Sequence, residues 1–363
     1  MALPSSGSLG ANQINIELGR SASAGFSMNG AAERALAGKP SGSISFSDFH
    51  GKSSEIVKTM AAGGSIITLE SLFTAAEWAS DTQKRIILPA GVERGNSSTL
   101  AAAVTIGPTA WGGNLIFDVA GVISGKGGAA NSGVGGDAFQ ANRVGNANQK
   151  LILNLQSGAV LRGGGGGGGK GGTGGGGSTT TTVREPSSGW SQGYADGRYW
   201  MALTVGGMGG DTTVMWDGQA VGYVPHGTTV ASFGGYTYYR GPQFDEYGDD
   251  GPGYFYFYQS YRTSTASTPT SGGAGGNGGA GEGYGQARSG GSAGSAGGAN
   301  AGTGGTGGAG GLYGATGGTG ATGANGSSST GQAGSAGGAA GYGLLGSANI
   351  TLTNNGSILG RTG

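Results

Sequence analysis

Two stretches of this chain place glycine with a period of three. Gly163–Gly177 reads GGGGGGGKGGTGGGG, and Ser271–Gly346 contains GGAGGNGGAGEG and GTGGTGGAGG. An amphipathic helix repeats at 3.6 residues and a strand at two. Three residues per turn is the repeat of polyproline II, so Gly-Gly-x sets its one side chain on a fixed edge and leaves two edges bare. Bare edges let backbones approach and exchange N–H···O=C bonds. They also allow Cα–H···O contacts, about 0.5–1 kcal/mol each and useful only in number. Glycine supplies 90 of the 363 residues, against roughly 7% in an average chain. Ordering it costs more backbone entropy than any other residue, so such an array must fold as one cooperative block. Collagen is excluded, because no proline follows Pro269 and the triplets are interrupted. A flexible Gly/Ser linker needs neither the phase nor Leu312, Tyr313, Tyr342 and Leu344, nor the strand-like ending ITLTNNGSILGRTG. The expectation is a packed bundle of polyglycine/polyproline-II helices.

Nineteen basic and nineteen acidic residues give zero formal charge. That argues against nucleic acid and anionic membrane as partners, since both demand a basic face. There is no cysteine, so disulfides and thiolate metal sites are not available. MALPSSGSLG lacks the basic-then-apolar plan of a signal peptide, and no apolar run reaches the roughly 20 residues of a membrane span. A soluble protein made in a cytoplasm, without Sec export or membrane insertion, is expected.

Residues 1–53 read as a small helical module. Ile14, Ile16 and Leu18, then Met28, Ala32 and Leu36, then Ile44, Phe46 and Phe49 form three short apolar segments. Asn12, Asn29 and Ser45 are the candidate N-caps, and Gly19, Gly38 and Gly51 the stops. Residues 54–162 read as a β-rich shoulder. LESLFTAAEWAS predicts a helix over 69–80, with Leu69, Leu72, Phe73 and Ala76 on one face; RIILPAGVERG and TLAAAVTIG predict strands. A weak repeat links Leu115–Gly125, Ile152–Gly163 and Ile350–Gly360. Each copy has an alternating strand, a turn ending at Gly121, Gly158 or Gly356, and a second apolar pair. These units bracket the glycine-rich segments.

Residues 178–270 interrupt the glycine with most of the tyrosines. RYWMALTVGG, TTVMWDGQAVGYV, TTVASFGGYTYYRG and YFYFYQSYRT predict strands, with Asp217-Gly218 and Gly234-Gly235 as turns. A core prefers Leu, Ile and Val, which are scarce here. Tyrosine instead offers rigid contact area plus a hydroxyl, which suits recognition. The candidate binding residues are Trp190, Tyr194, Tyr199, Trp216, Tyr236, Tyr238, Tyr239, Tyr247, Tyr254, Tyr256 and Tyr258. Asp245, Glu246, Asp249 and Asp250 form an acidic cluster beside them, a solvated loop or a point of specificity for a basic or hydroxyl-rich partner.

Other motifs carry less. Gly164–Gly171 imitates GxxxxGK, but Gly171 stands where a P-loop needs Ser or Thr. The oxygens of Asp245–Gly251 are out of phase for a calcium loop. His50 and His226 are the only histidines, so neither a histidine-rich metal cage nor a catalytic triad has support. No particular carboxylate pair marks a glycosidase. No cofactor, metal or catalytic residue is expected.

The opening LPSSGSLGANQINIELG…AAERALAGKPSGSISFSDFHGKS resembles an N-terminal module of phage tail-fibre and tail-tip proteins. GGGGGGGKGGTGGGG and GGAGGNGGAGEG resemble the glycine motifs of distal tail-fibre adhesins of T-even-like phages, with 178–270 in the variable position, here one long insert in place of several short loops. The resemblance implies a mainly β and irregular chain divided into a tail-attachment module (1–53), a β-rich shoulder (54–162), a glycine bundle (163–177 and 271–363) and an inserted receptor-binding domain (178–270). It implies a non-enzymatic, receptor-binding virion protein at the distal end of the tail or tail fibre. The partners would be a tail-fibre or tail-tip protein through 1–53 and a bacterial outer-membrane protein or surface glycan. The adhesin would be a monomeric cap or a homotrimer. A polysaccharide-degrading spike and a purely structural tail-tip protein are the alternatives.

Overall fold

The computed structural model describes residues 3–186, 198–205, 208–248 and 253–363. They are mainly β, with a few short helices. The chain forms two compact units, Met1–Gly176 with Ser271–Gly363, and Gly177–Thr270.

The first unit is organised by a parallel β-solenoid of stacked coils. Strands β1 (Glu55–Thr59), β3 (Gln83–Leu88), β6 (Leu115–Val119), β9 (Leu151–Leu155) and β19 (Ile350–Asn354) stack in that order on one face. β4 (Glu93–Gly95), β7 (Val122–Ser124), β10 (Val160–Arg162) and β20 (Ser357–Leu359) build the second. β2 (Ile67–Thr68), β5 (Val104–Thr105), β8 (Phe139–Gln140), β18 (Tyr342–Leu345) and β21 (Arg361–Thr362) build the third. The three repeat copies are neighbouring coils. Their first strands pair as β6, β9 and β19 and their second strands as β7, β10 and β20. Stacking aligns like residues into ladders. Ile86, Phe117 and Leu153 meet in register inside, as do Leu88, Val119 and Leu155, and all six are buried. Outside, Arg85 bridges Glu55 (2.8 Å) and Asp118, and Asn154 donates to Asp118 at 2.8 Å.

Two details of the solenoid differ from the sequence reading. The single helix expected over 69–80 breaks at Phe73 into a 3-10 turn, Glu70–Leu72, and a short helix α3, Ala75–Ala79. Thr74 starts that helix in a capping box, exchanging hydrogen bonds with Glu77, and a cap of this kind outweighs continuation of a weak helix. Residues 342–363 are rungs of the solenoid, because β18, β19 and β20 find ready-made parallel edges in β8, β9 and β10.

The glycine segments leave the solenoid between its second and third faces, first over 125–138 and then over 163–341. Residues 163–176 run through the middle. Gly165, Gly168, Gly171 and Gly174 donate N–H to the carbonyls of Glu282, Gly279, Gly276 and Gly273. Gly166, Gly169, Gly172 and Gly175 donate to Ala315, Gly318, Ala321 and Ala324, and Gly164 and Gly167 to Gly136 and Gly133. Their carbonyls accept from three further segments, 128–132, 302–311 and 332–341. The hydrogen-bond direction advances by one neighbour per residue and returns every third. A Cβ on Gly166 would stand 1.8 Å from the Gly338 oxygen, and one on Gly172 1.8 Å from that of Gln332.

The two interruptions of the tract follow the same geometry. Gly164 and Gly167 face Lys126 and Ala129, whose carbonyl oxygens lie 1.8 Å from any Cβ. That neighbour turns back at 130–132. The next two positions on the uncovered edge are Lys170 and Thr173, both exposed. At the periphery one glycine per triplet is enough. Ser289, Ser292 and Ser295 there accept the N–H groups of Ala280, Asn277 and Ala274 on their hydroxyls at 2.7 Å. The P-loop imitation also ends here, since Gly164 to Gly169 all donate their N–H within the array and none is left for a phosphate. Tyr313 and Leu344 anchor the segment ends, the first under Arg162 (3.9 Å) and the second in the solenoid core.

Residues 3–54 hold α1 (Ala11–Glu17), α2 (Ala31–Ala37) and a 3-10 turn, Phe46–Phe49, around Ile14, Leu36 and Phe49. Gly19, Gly38 and Gly51 do end these pieces, with φ of 73°, 72° and 68°. Ser45 caps the turn, its N–H donating to Asp48 (2.8 Å). Gly10 and Gly30 replace Asn12 and Asn29 as N-caps; the Asn29 side chain is instead taken by Arg34 at 2.7 Å. Three carboxylates tie the module down. For Glu17 and Glu33 burial opposes ionisation, but hydrogen bonds from Ser54 and Ser53 to Glu17, and from Arg20 to Glu33, outweigh it and lower both pKa values. Lys39 and the Ser45 N–H bring Asp48 down to about 2. A folded pKa below the unfolded one stabilises above the unfolded value and loses that contribution as pH falls through the folded one. The module is therefore expected to loosen as pH falls from the ordinary carboxylate values, 4.5 and 3.8, towards about 2. Residues 163–177 contain no carboxylate and should not respond. Methyl NMR of Ile14 against the amides of the glycine tract measures this; simultaneous loss of both would contradict it.

Candidate recognition surface

The second unit is an antiparallel sheet built on one long strand, β17 (Gly253–Thr270). On one side of it lie β12 (Tyr199–Val205) and β11 (Gly177–Pro186). β13 (Met208–Trp216) and β14 (Gln219–Val224) extend the sheet beyond β12. On the other side lie β16 (Tyr236–Gly248) and β15 (Val230–Phe233). Asp217-Gly218 and Gly234-Gly235 are the predicted tight turns, with positive φ at both residues of each, as two-residue hairpins of matching twist require. β11 and the far half of β17 form a threonine-rich ribbon that begins with Gly177 opposite Thr270.

One face is the core. Trp200, Val214, Trp216, Val224 and Tyr238 are buried, with Phe233, Tyr236 and Tyr258 packed against them. Phe233 of β15 lies against Gly222 of β14, where a Cβ would meet its ring at 2.2 Å, so the sheet curls until its two edges share a side chain. Trp216 meets Tyr238 edge-on at 5.6 Å and carries the guanidinium groups of Arg198 (4.7 Å) and Arg262 (4.4 Å). The Trp200 indole N–H donates to Ser260 at 3.1 Å. Burial opposes the charge on Arg262, yet hydrogen bonding to Tyr238 and Glu185 outweighs it and raises its pKa.

The eleven candidate residues divide accordingly. Trp216 and Tyr238 are core, 3% exposed, and they support the surface without presenting themselves on it. Tyr199, Tyr236, Tyr239, Tyr256 and Tyr258 are half-buried; Tyr199 packs edge-on against Phe257 on the opposite face. Tyr247 pairs with Phe255 and Tyr254 with Gly248 in the strand register. Trp190, Tyr194, Asp249 and Asp250 lie outside the described residues. Tyr223 is the aromatic the sequence reading passed over, with 68% exposure on β14. Its signal was the alternation of VGYV, which points Tyr223 away from Val224. Tyr261 was likewise omitted; it stacks on Tyr239 at 4.8 Å and 7°. Among the described residues no group of His, Cys, Asp and Glu could hold a metal ion, and no helix is long and apolar enough to cross a membrane.

Residues 55–253 match the family model of the phage tail fibre adhesin Gp38. The chain belongs to this family. The match runs from the first solenoid strand through the central glycine tract and into the start of β17. Membership makes the chain an adhesin and places it in the virion, on the tail fibre. Among solved structures, the gp37–gp38 adhesin tip complex of the bacteriophage S16 long tail fiber is similar. It is 16% identical, covers 92% of this chain and 97% of that one, and has a TM-score of 0.35. The curated proteins gave no match.

Proposed function

We propose that this adhesin attaches the phage to its host through residues 178–270, which recognise an outer-membrane protein, while residues 1–53 dock on the tail fibre at its distal end. The glycine array is then a bundle of polyglycine/polyproline-II helices acting as a rigid scaffold, a reading supported by hydrogen bonds that return to the same neighbour every third residue. Those bonds close within one chain, which favours a monomeric cap. The observation that carries the recognition reading is the place and chemistry of the insert. It leaves the array at Gly176 and returns at Ser271, the end at which the turns 298–301 and 326–330 also hydrogen-bond to these two residues. It then builds a sheet that leaves Tyr223 and Arg184 exposed and Tyr239, Tyr256, Tyr261 and Arg240 half-buried among threonine, serine and glutamine, and tyrosine and arginine are enriched at binding hot spots. The adhesin family is not a known enzyme family, and the proposed role needs no catalysis.

Gly177 and Thr270 are paired across the ribbon, so a short Gly-Ser turn can replace residues 178–270 without parting the ends. The shortened adhesin is expected to keep the array and lose binding to host cells. Undiminished cell binding, measured by pull-down, would reject the assignment.

A further inference from the structure

All positive charge between residues 178 and 270 is arginine, at Arg184, Arg198, Arg240 and Arg262, with no lysine. Each guanidinium lies on an aromatic ring: Arg184 on Tyr261 (3.7 Å), Arg198 on Trp216 (4.7 Å), Arg240 on Tyr258 (4.5 Å), and Arg262 on Trp216 (4.4 Å) and Tyr236 (4.0 Å). Two of them are neutralised, Arg198 by Asp217 at 2.6 Å and Arg262 by Glu185 at 2.8 Å. Arg184 and Arg240 make no ion pair among the described residues. Arg240 is half-buried over the core, whereas Arg184 is exposed. β11 and β16 flank β17 on opposite sides, so Tyr261 is held between Arg184 and Tyr239 in a three-layer stack.

A guanidinium pinned flat on a ring keeps its N–H fork pointing outward in its own plane. That geometry matches a carboxylate with two parallel hydrogen bonds and is pre-organised, since the stack has already removed much of the side chain's freedom. The same stacking covers a ring face of Tyr236, Tyr258, Tyr261 and Trp216, and so takes from these rings the bare platform on which a sugar would lie. Resting on the reading that this insert carries recognition, we propose that Arg184, braced by Tyr261 and Tyr239, is the clamp for an aspartate or glutamate carboxylate on an exposed loop of the receptor protein.

The test uses the intact adhesin and R184A, R184K and R184Q variants, bound to cells of a sensitive strain left untreated, shaved with protease or oxidised with periodate. All three variants are expected to lose about tenfold or more in affinity, the lysine included, because an ammonium keeps the charge but neither stacks flat nor offers the fork. Unchanged melting of the variants shows that the fold is intact. Protease should abolish Arg184-dependent binding and periodate should not. Full binding by R184A and R184Q overturns the clamp, and full binding by R184K alone reduces it to simple charge attraction and overturns it equally. Loss with periodate but not protease moves the carboxylate to a glycan and overturns the protein source. The adhesin lacking 178–270 is measured in parallel. If it still binds, the recognition reading itself fails; if it does not bind while R184A does, only the clamp fails.

Discussion

Replacing Gly168 with alanine is expected to destabilise the glycine array severely, although it adds a single methyl group. A Cβ there would stand 2.0 Å from the Gly308 oxygen and 2.5 Å from its carbonyl carbon. Both are backbone, so no side chain can rotate away, and the 302–311 segment must move outward by about an ångström. That segment also holds Gly166, Gly169, Gly172 and Gly175 through N–H groups donated to their carbonyls. The shift therefore breaks a row of bonds. At a net 0.5–1.5 kcal/mol each, a row of about four costs roughly 2–6 kcal/mol, against a typical domain stability of about 5–15 kcal/mol. Gly290 is the matched control, since a Cβ there meets nothing within 4 Å. Gly290→Ala should be neutral or stabilise by about 0.4–1 kcal/mol through the unfolded state. Urea or thermal unfolding of the two variants decides the point, and equal melting of both would refute close packing of the tract.

The second large effect is expected in the insert. Trp216→Ala removes the ring that meets Tyr238 and carries Arg198 and Arg262. Truncating a buried aromatic of this size costs about 3–5 kcal/mol, enough to unfold a small sheet. Gly177–Thr270 is a compact unit by itself, so calorimetry should show its transition lost and that of the array retained, with cell binding abolished. The Trp216 indole N–H is buried with no hydrogen-bond partner among the described residues. Trp216→Phe should accordingly cost much less, because it removes an unsatisfied donor along with some packing. Tyr223→Ala, at an exposed position, should change stability by no more than about 0.5 kcal/mol. A reduced affinity with an unchanged melt would then mark Tyr223 as a contact residue.

Much of the local structure could be read from residue order. The tight turns at Asp217-Gly218 and Gly234-Gly235 and the helix stops at Gly19, Gly38 and Gly51 follow from which residues tolerate positive φ. The errors share one cause, competition between neighbours that propensity ignores. Thr74 and Glu77 form a cap and cut the expected helix, while Arg34 draws the Asn29 side chain away from capping. Alternation could not tell Trp216 and Tyr238 from surface aromatics, because a tyrosine-rich strand shows the same pattern on a buried face as on an open one. The decision lay in the curl that brings Phe233 over Gly222, a contact between β15 and β14.

By itself the sequence determined the grammar of the array. The number of glycines per triplet states how many backbones must fit around a segment: three in the surrounded stretch Gly163–Gly169, two where one edge is open, one at the rim in the Ser292 and Ser295 triplets. It also determined the three strand–turn–strand copies. Only the tertiary structure decided that these copies are successive coils of one solenoid, and that Lys170 and Thr173 stand where a neighbouring chain has turned back. The physical reason is that a period reports which edge of a segment is bare, whereas the chain that covers that edge is chosen by long-range pairing. The 302–311 segment covers carbonyls that lie far earlier in the chain, from Gly302 onto Gly175 to Gly311 onto Gly166, and nothing in either segment alone names the other.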